Sequence, residues 1–245
     1  MKLQLLRRTI IPLLVSVSLL WLFILYAKLT LPNIDELKIQ NPISTAFMEL
    51  YKGETLLSYR WIPYTEISPY LKQSVVIAED SAFFDHKGFD WNAIWEALEK
   101  NWKKKEFARG ASTITQQLAK NLYLSPSKNP VRKIREILIT IALEQRLSKQ
   151  RILELYLNVV EWGEGIFGAE AAAQHYFNVK ASQLSAYQAA WLASILPNPR
   201  YYEKHRNSSF IARKVSRTLG LMGLEPKKEK PQPDEILEEE ILDEF

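Results

Sequence analysis

The feature that most constrains this chain is an uncharged, apolar run close to its N-terminus. It covers residues 9–27, a stretch of 19 residues bounded by Arg7, Arg8 and Lys28. A helix rises ~1.5 Å per residue, so a run of this length matches the ~30 Å hydrocarbon layer of a bilayer. A cleaved signal peptide is the alternative, but its apolar region usually has only ~7–15 residues and ends in small residues. We therefore predict an uncleaved transmembrane helix over residues 9–27.

The charges around this run predict its orientation. Residues 1–8 carry Lys2, Arg7 and Arg8 and no acid, and basic residues favour the cytoplasmic side of a membrane span. We therefore expect residues 1–8 to be cytoplasmic and the rest of the chain to lie on the periplasmic or extracellular face. The predicted localisation is a single-pass protein of the cytoplasmic (inner) membrane, with a linker over residues 28–42.

Composition indicates a folded domain after the linker. Hydrophobic residues make up 47% of the chain and charged residues 24%, which is typical of a protein with a packed core. The chain has no cysteine, which excludes disulfides and thiolate metal sites. Its net charge of +4 favours an anionic partner such as nucleic acid, a membrane surface or a phosphate-bearing substrate. Composition does not choose among these three.

Beyond the linker, the spacing of apolar residues predicts a mostly helical domain over residues 43–224. From about Leu71 onward they recur every three or four positions, which is the helical period. One such stripe consists of Val131, Ile134, Leu138 and Ile141. Residues 225–245 carry three lysines against nine acidic residues, which predicts an acidic, disordered tail.

One aromatic segment within this domain has two interpretations. Trp91, Trp95, Leu98 and Trp102 fall on one helical face, and a lysine cluster follows at residues 103–105. A stripe of this kind usually packs into a core. In a chain already tied to a membrane, three tryptophans beside lysines favour a helix at the membrane interface. We predict Trp91, Trp95 and Trp102 as interfacial residues.

The first polar stretch in the domain is a pair of carboxylates, Glu79 and Asp80, at the end of a predicted helix. Phe83 and Phe84 follow them closely. Desolvation by apolar groups raises the pKa of a carboxyl group, which suits a base that works near neutral pH. An ordinary helix end with solvated acids explains the same residues. The three histidines of the chain lack the spacing of metal ligands, so we predict no metal site.

The second stretch covers residues 110–121 and predicts the start of a helix. Thr113 and Gln116 have the spacing of a capping box. Free backbone amides at a helix start can bind phosphate or pyrophosphate, and Lys120 would add a full charge. A simple helix cap accounts for the same residues.

The third stretch places Arg132 and Glu136 four residues apart, on a helical face opposite the apolar stripe. As a surface ion pair they would contribute only ~0.3–0.5 kcal/mol. The functional alternative is a cationic clamp for an anionic leaving group, in which Glu136 orients that group or a metal ion.

Together and in this order, these stretches resemble the motifs of the family 51 glycosyltransferases, which are peptidoglycan polymerases. The first motif matches at Glu79, Asp80, Phe83, His86 and Gly88. The second runs from Gly110 to Asn121, and the third is Arg132, Lys133 and Glu136. A fourth matches at Lys149, Ile152, Leu153, Glu154, Tyr156, Leu157 and Asn158. A fifth matches at Gly165, Gly168, Ala171, Ala172, Tyr176 and Phe177, so that the resemblance covers about residues 71–202.

The resemblance implies a mostly α, lysozyme-like glycosyltransferase domain with a hydrophobic jaw that dips into the membrane. The implied substrates are lipid II, an undecaprenyl-pyrophosphate disaccharide-pentapeptide, and the growing glycan-lipid chain. Membrane lipid is the other implied partner, nucleic acid is not, and cell-wall synthases or divisome proteins are further candidates. Glu79 would accept the proton of the acceptor 4-hydroxyl as it attacks and inverts the donor's anomeric carbon. Glu136 is the second implied catalytic residue.

The resemblance also implies a substrate site and a structural set. The implied substrate- or pyrophosphate-binding residues are Ser112, Thr113, Gln116, Gln117, Lys120, Asn121, Lys128, Arg132 and Lys133. The implied structural residues are Asp80, Phe83, His86, Gly88, Gly110, Glu154 and Asn158. Lys128 stands where the family usually has Arg, which keeps the charge but loses bidentate phosphate binding. Family members often work with Mg²⁺ or Mn²⁺, but we expect no required cofactor, since the sequence shows no dedicated metal cage.

Three rival interpretations have weaker support. Residues 125–128 spell S-x-x-K, an acyltransferase signature, but no K-T-G follows, so we expect no transpeptidase activity. A lytic transglycosylase or muramidase would share the fold and the glutamate but cut glycan, and it does not need the cations Lys120, Arg132 and Lys133. An inactive membrane-tethered scaffold is the third rival, against which the intact Glu79 and Glu136 argue.

Overall fold

A computed structural model of the chain describes residues 2–53, 56–104, 112–126 and 129–224. In the first helix the described side chains are those of residues 10–23, 25, 26 and 29. In the helix that follows residue 90 they are those of residues 91–97 and 99. Three predicted features lie outside these residues: Gly110, Lys128 and the tail at 225–245.

The described chain is mostly helical, as predicted. Its α-helices are α1 (Lys2–Thr30), α2 (Ala46–Glu49), α3 (Pro69–Glu79), α4 (Trp91–Lys104), α5 (Ile114–Tyr123), α6 (Pro130–Arg146), α7 (Lys149–Val159), α8 (Ala169–Phe177), α9 (Ala186–Ile195), α10 (Pro199–Lys204) and α11 (Ser209–Leu221). Short 3₁₀ helices cover Ile34–Lys38, Tyr64–Glu66 and Ala181–Gln183. The described strands are β1 (Ser58–Tyr59), β2 (Glu161–Gly163) and β3 (Ile166–Phe167). They form one sheet in which β3 lies between β1, its parallel neighbour, and β2, its antiparallel neighbour.

Two groups of helices build the core. In one, α9 packs against α3 and α11; in the other, α5 packs against α6 and α7. Helix α9 is rich in alanine, and its buried Ala189, Ala190 and Ala193 leave room for close contact with its neighbours. The C-terminal end of α3 meets α5 where the two groups join, which brings the first and second motifs together.

Local capping explains where the central helices begin. The predicted capping box is present in α5: the Gln116 N–H donates to Thr113 Oγ1 over 3.2 Å, and the Thr113 N–H donates to Gln116 Oε1 over 3.0 Å. Asn129 caps α6, which has Pro130 in its first turn, and Ser148 caps α7. These side chains satisfy amides that have no partner within the helix.

The segment predicted as a linker packs against the domain over part of its length. Ile34 and Leu37 of its 3₁₀ helix are buried. The Arg151 guanidinium of α7 donates to the carbonyl oxygens of Leu37, over 2.8 Å, and Gln40, over 2.9 Å. The segment that connects α1 to the domain is therefore held by specific contacts at residues 34–40.

Helix α1 covers the predicted membrane span. Its described large apolar side chains, such as Leu14, Leu20 and Trp21, are exposed. Counting only the residues that the structure describes, no helix combines the length and apolarity needed to cross a membrane. The span at residues 9–27 stays a prediction.

Helix α6 has the predicted apolar stripe, but the stripe faces away from the core. Val131, Ile134 and Ile141 are exposed, whereas Glu136, on the opposite face, is only 4% exposed. The inward face of α6 combines Glu136 and Thr140 with the fully buried Ile139 and Leu143, so the predicted stripe is a second, outward apolar face.

Candidate active site

Glu79 is the last residue of α3 and contacts the neighbouring helix α5. Its Oε2 accepts a hydrogen bond from Gln117 Nε2 over 2.8 Å. The Tyr156 hydroxyl of α7 donates to Gln117 Oε1 over 2.9 Å. Because the ionised carboxylate of Glu79 can only accept, the amide nitrogen of Gln117 points toward it, and the amide oxygen is left to accept from the Tyr156 hydroxyl. A chain of two hydrogen bonds thus connects the buried Tyr156 to the carboxylate.

The surroundings of Glu79 make it a stronger base than a solvated glutamate. Burial raises the pKa of its carboxyl group, and the neighbouring charge of Asp80 acts in the same direction. The hydrogen bond from Gln117 and the positive charges of Lys214 and Lys120 oppose this rise without cancelling it. The direction is the one that a general base near neutral pH requires.

Asp80 is adjacent in sequence but has a different environment. Its Oδ1 accepts from His86 Nε2 over 2.8 Å, and its Oδ2 accepts from the Ile114 N–H, at the start of α5, over 2.9 Å. His86 Nδ1 accepts from the Gly88 N–H over 3.1 Å, so the imidazole hydrogen lies on Nε2. Burial raises the pKa of Asp80, against the effect of these hydrogen bonds. Asp80 therefore clamps the first motif to the N-terminus of α5.

Gly88 and Phe83 complete this clamp. The Thr113 hydroxyl donates to the Gly88 carbonyl oxygen over 2.7 Å. Gly88 has φ of +90°, and a Cβ atom there would lie 2.9 Å from Thr140 Cγ2 and 3.1 Å from Glu144 Cγ. Phe83 is fully buried. A side chain at position 88 would therefore be strained in its backbone and crowded by α6.

A cavity of about 160 Å³ opens beside the two carboxylates. Its polar lining includes Glu79, Asp80, Ser81, Asp90, Ser112 and Thr113. Residues of the first and second motifs therefore face the same space, and Glu79 has access to a ligand there.

A cluster of charged side chains lies between α5 and α6. The Glu136 carboxylate accepts from Arg132 Nη1 over 3.3 Å and from Lys133 Nζ. Arg132 Nε is buried without a hydrogen-bond partner among the described residues. Burial lowers the pKa of Lys120, and the negative charge of Glu136 opposes that shift. Three cations share one carboxylate here, so the cluster carries excess positive charge that suits a phosphate-bearing ligand.

Comparisons with known proteins show the family of this chain. The sequence profile of the family described as Transglycosylase matches residues 48–223. The chain is 50% identical over 205 residues to a biosynthetic peptidoglycan transglycosylase of Laribacter hongkongensis. The aligned region covers 81% of this chain and 90% of that protein. It is also 50% identical over 200 residues to the protein of the same name from Chromobacterium violaceum, covering 79% and 88% of the two chains. The chain belongs to the transglycosylase family.

The fourth motif of this transglycosylase holds the chain that precedes α3. Glu154 accepts from the Tyr64 N–H over 2.8 Å, and the Asn158 side chain exchanges hydrogen bonds of 3.0 and 2.9 Å with the Ile62 backbone. Both side chains therefore bind backbone of the segment before α3, and the structural role that the resemblance implied for them stays a prediction.

Some residues expected to bind substrate are engaged within the transglycosylase domain. Thr113 and Gln116 form the cap of α5, and Asn121 is buried. Ser112 and Lys120 remain close to the cavity and the charged cluster, respectively. The expected site therefore divides into residues that hold the helix start and residues that lie beside the cavity or the charged cluster, and substrate binding by either set stays a prediction.

Two of the expected interfacial tryptophans are exposed on α4. The exposed fractions are 64% for Trp91 and 68% for Trp95, so neither packs into the core. The side chain of Trp102 lies outside the described residues. Their interfacial role stays a prediction.

Among the described residues, no group of histidine and acidic side chains is arranged to bind the Mg²⁺ or Mn²⁺ that the resemblance suggested. No three histidine or acidic side chains come together there, and both oxygens of Glu136 already accept from cations. We therefore assign no metal ligand and no metal-dependent step.

Sequence reasoning missed Lys214, which lies on α11. Its positive charge acts on Glu79, and burial lowers the pKa of its ammonium group. A signal was present: Lys214 falls between Ile211 and Val215 in the buried apolar pattern of that helix. A lysine at a core-facing position of a helix usually has a specific partner.

Proposed function

We propose that this transglycosylase polymerises lipid II, with Glu79 as the general base. The observation that carries the proposal is the position of Glu79. Its carboxyl pKa is raised, and it contacts α5, the helix that carries Lys120 of the cationic cluster. A base and an anion-binding group are the two elements that transfer from a sugar pyrophosphate to a hydroxyl requires. The relatives described as biosynthetic peptidoglycan transglycosylases support the same substrate and a place in the cell envelope.

At Glu79 the proposed reaction is an inverting displacement. The acceptor's 4-hydroxyl oxygen attacks the anomeric carbon of the donor, and the hydroxyl proton passes to Glu79. Since Gln117 already holds Oε2, we assign the proton to Oε1. The bond from the anomeric carbon to the pyrophosphate oxygen breaks, and the lipid pyrophosphate leaves with its electron pair.

The cations of the cluster stabilise that leaving group. Lys120, Arg132 and Lys133 hold their charges in place before the reaction, so the enzyme does not have to reorganise as negative charge develops. Glu136 orients Arg132 and Lys133 through its two oxygens. Glu136 is therefore a positioning residue. The three cations, Lys120, Arg132 and Lys133, are the groups that contact the pyrophosphate.

The cluster favours synthesis over cleavage of glycan. A lytic enzyme leaves a sugar hydroxyl rather than a pyrophosphate, and it has no use for three buried or half-buried cations. The relatives in the comparison are described as biosynthetic.

Purified protein incubated with labelled lipid II tests the proposal. We expect glycan polymer from the wild type and none from Glu79→Gln. Equal product from both would remove Glu79 as the base. Release of fragments from preformed glycan, without polymer from lipid II, would favour the lytic alternative, and no product of either kind would favour an inactive scaffold.

We further propose that residues 9–27 anchor the enzyme in the membrane and that α4 rests on the membrane surface. Support comes from the exposed apolar side chains of α1 and from Trp91 and Trp95, because exposed tryptophans are typical of membrane interfaces. Deleting residues 1–30 should lower the fraction of the protein in the membrane pellet, because α4 is then its only remaining proposed membrane contact. Recovery of both forms in the supernatant would rule out the anchor.

The role of α4 needs a separate measurement on the anchor-deleted protein. We expect Trp91→Ser with Trp95→Ser to weaken its binding to liposomes. Tyr187→Ser, an exposed aromatic of α9, is the matched control and should leave binding unchanged. Binding that is insensitive to the tryptophan changes would contradict the interfacial role.

A further inference from the structure

The cations of the charged cluster between α5 and α6 are held in different ways. Arg132 and Lys133 both donate to Glu136. Lys120 is half-buried on α5, yet its ammonium group makes no hydrogen bond or ion pair with any residue that the structure describes. The position of this ammonium group therefore depends on a contact of another kind.

The ammonium group of Lys120 lies over an aromatic ring. Its Nζ is 5.8 Å from the centroid of the Phe47 ring, inside the ~6 Å limit for attraction between a cation and an aromatic face. The face of such a ring is negative, but the ring has no net charge. A carboxylate would cancel the charge of Lys120, whereas the ring leaves that charge available to an anionic ligand.

The Phe47 ring belongs to α2, which is itself held firmly. Phe47 is half-buried and packs against the core. Its neighbours Thr45 and Met48 are buried, and the Met48 N–H donates to Thr45 Oγ1 over 3.2 Å, which caps the helix. Helix α2 packs on α5, the helix that carries Lys120. Because a lysine has a flexible four-carbon stem, a fixed ring beneath its ammonium group limits where that group can lie.

Helix α2 follows the segment that connects α1 to the domain, and specific contacts hold that segment in place. The Tyr59 hydroxyl donates to the carbonyl oxygen of Pro42 over 2.6 Å. The Arg151 guanidinium donates to the side-chain oxygen of Asn41 over 2.8 Å. The aromatic ring over which the ammonium group lies is one position before the region that matches the transglycosylase family. The connecting segment therefore leads directly into a contact with the charged cluster.

We propose that Phe47 is a positioning residue of this transglycosylase, whose ring holds the Lys120 ammonium group where that group meets the leaving pyrophosphate. The proposal rests on the function proposed above, which assigns Lys120 to the pyrophosphate. In this role Phe47 acts through Lys120 rather than on the substrate. It keeps a positive charge in place before negative charge develops on the leaving group.

Fluorination of the ring tests this contact with little change in its shape. Fluorine atoms withdraw electron density from the face of the ring, so the attraction for a cation weakens as their number increases. The full-length protein is prepared with 4-fluoro-, 3,5-difluoro- or 3,4,5-trifluorophenylalanine in place of Phe47. The matched control has the same series at Phe177 of α8, which is also half-buried. In the described part of the chain, the Phe177 ring contacts the Trp191 ring, at 5.6 Å between centroids, rather than a cation.

Titration with inorganic pyrophosphate measures the anion site independently of polymerisation. We expect the affinity to fall stepwise with the number of fluorines at position 47, by roughly three- to tenfold for the trifluorinated ring. With lipid II as substrate, kcat should fall in the same order. The Phe177 series should keep the wild-type values, and thermal melting checks that each protein is folded.

Three substitutions separate the ring from the fold. Phe47→Tyr keeps an aromatic face and should bind pyrophosphate like the wild type, whereas Phe47→Leu should match the trifluorinated protein. In a Lys120→Ala background, fluorination of Phe47 should leave the remaining affinity unchanged, because the ring acts through Lys120.

The contrary results are distinct. An affinity that does not depend on the number of fluorines, or that falls equally in the Phe177 series, would overturn the proposal. A loss that persists in the Lys120→Ala background would also overturn it, since Phe47 would then act through the fold. No binding of pyrophosphate by the wild type would remove the anion site and the role of Phe47 with it. Absence of polymer from lipid II would refute the proposed function, while the pyrophosphate titration would still decide whether Phe47 acts through Lys120.

Discussion

Helices α6 and α7 are neighbours in sequence and both pack on α5, yet they distribute their apolar and charged residues differently. Helix α7 buries Ile152, Leu155 and Tyr156, as an amphipathic helix of a soluble domain does. Helix α6 buries the charged Glu136 together with Ile139 and Leu143, and it leaves Val131, Ile134 and Ile141 exposed. The two patterns have the same helical period but different environments on their apolar sides.

This difference between α6 and α7 shows which of the two helices supplies the charged residues of the proposed site. A buried charge costs free energy unless it is paired, and Glu136 is paired with Arg132 and Lys133. Helix α6 therefore brings a polar cluster into the protein and leaves an apolar face for another apolar partner. Helix α7 contributes mainly to the fold, and it reaches the active site through Tyr156, which binds Gln117, and through the charge of Lys149, which acts on Asp80.

The largest effect is expected from replacing Glu79, the proposed general base, which lies where the two groups of helices meet. Glu79→Gln should lower turnover by about 10²–10⁴-fold, the usual contribution of a general base. The raised pKa means that the fold favours the protonated acid, so its ionisation destabilises the folded state as pH rises through that pKa. Gln removes this cost, and the melting temperature at pH 7 should be equal or higher. A lower melting temperature would give Glu79 a structural role.

Arg132→Ala tests the inward polar face of α6. Turnover should fall on the order of 10²–10³-fold, as expected when a preorganised donor for a developing negative charge is removed. Steady-state polymerisation rates and thermal melting measure the two consequences separately. Arg135→Ala, on the same helix but outside the charged cluster, is the control. Near wild-type turnover by a folded Arg132→Ala protein would remove this residue from the leaving-group site.

Leu155→Ala tests the inward apolar face of α7. Because Leu155 is fully buried, its truncation should cost ~2–5 kcal/mol of unfolding free energy. Urea denaturation measures this cost, and the specific activity of the folded fraction should stay close to that of the wild type. A large loss of activity without a loss of stability would contradict the assignment of α7 to the fold.

Tyr156→Phe should have the smallest effect, because it removes one hydroxyl. Gln117 then loses the bond that orients its amide, and its donation to Glu79 weakens. Since that donation lowers the pKa of Glu79, the acidic limb of the kcat/KM profile should move to higher pH by less than about one unit. An unchanged limb would show that Gln117 keeps its orientation without Tyr156.

Much of the site was predictable because its signals are local. The capping box at Thr113 and Gln116 was read from spacing and is present in α5. The shared face of Arg132 and Glu136 followed from a separation of four residues, and the structure joins them over 3.3 Å. The different environments of Glu79 and Asp80 were not predictable, because each acid meets a different part of α5.

By itself, the sequence determined the helical domain, the capping box of α5 and the motif residues, all of which depend on neighbours along the chain. The tertiary structure decided which face of α6 points inward, that Gln117 binds Glu79 while the start of α5 binds Asp80, and that Lys214 acts on Glu79. These outcomes depend on contacts between distant segments: Glu79 and Gln117 are 38 residues apart, and Gln117 and Tyr156 are 39. Periodicity identifies two faces of a helix, but only packing determines the environment of each face.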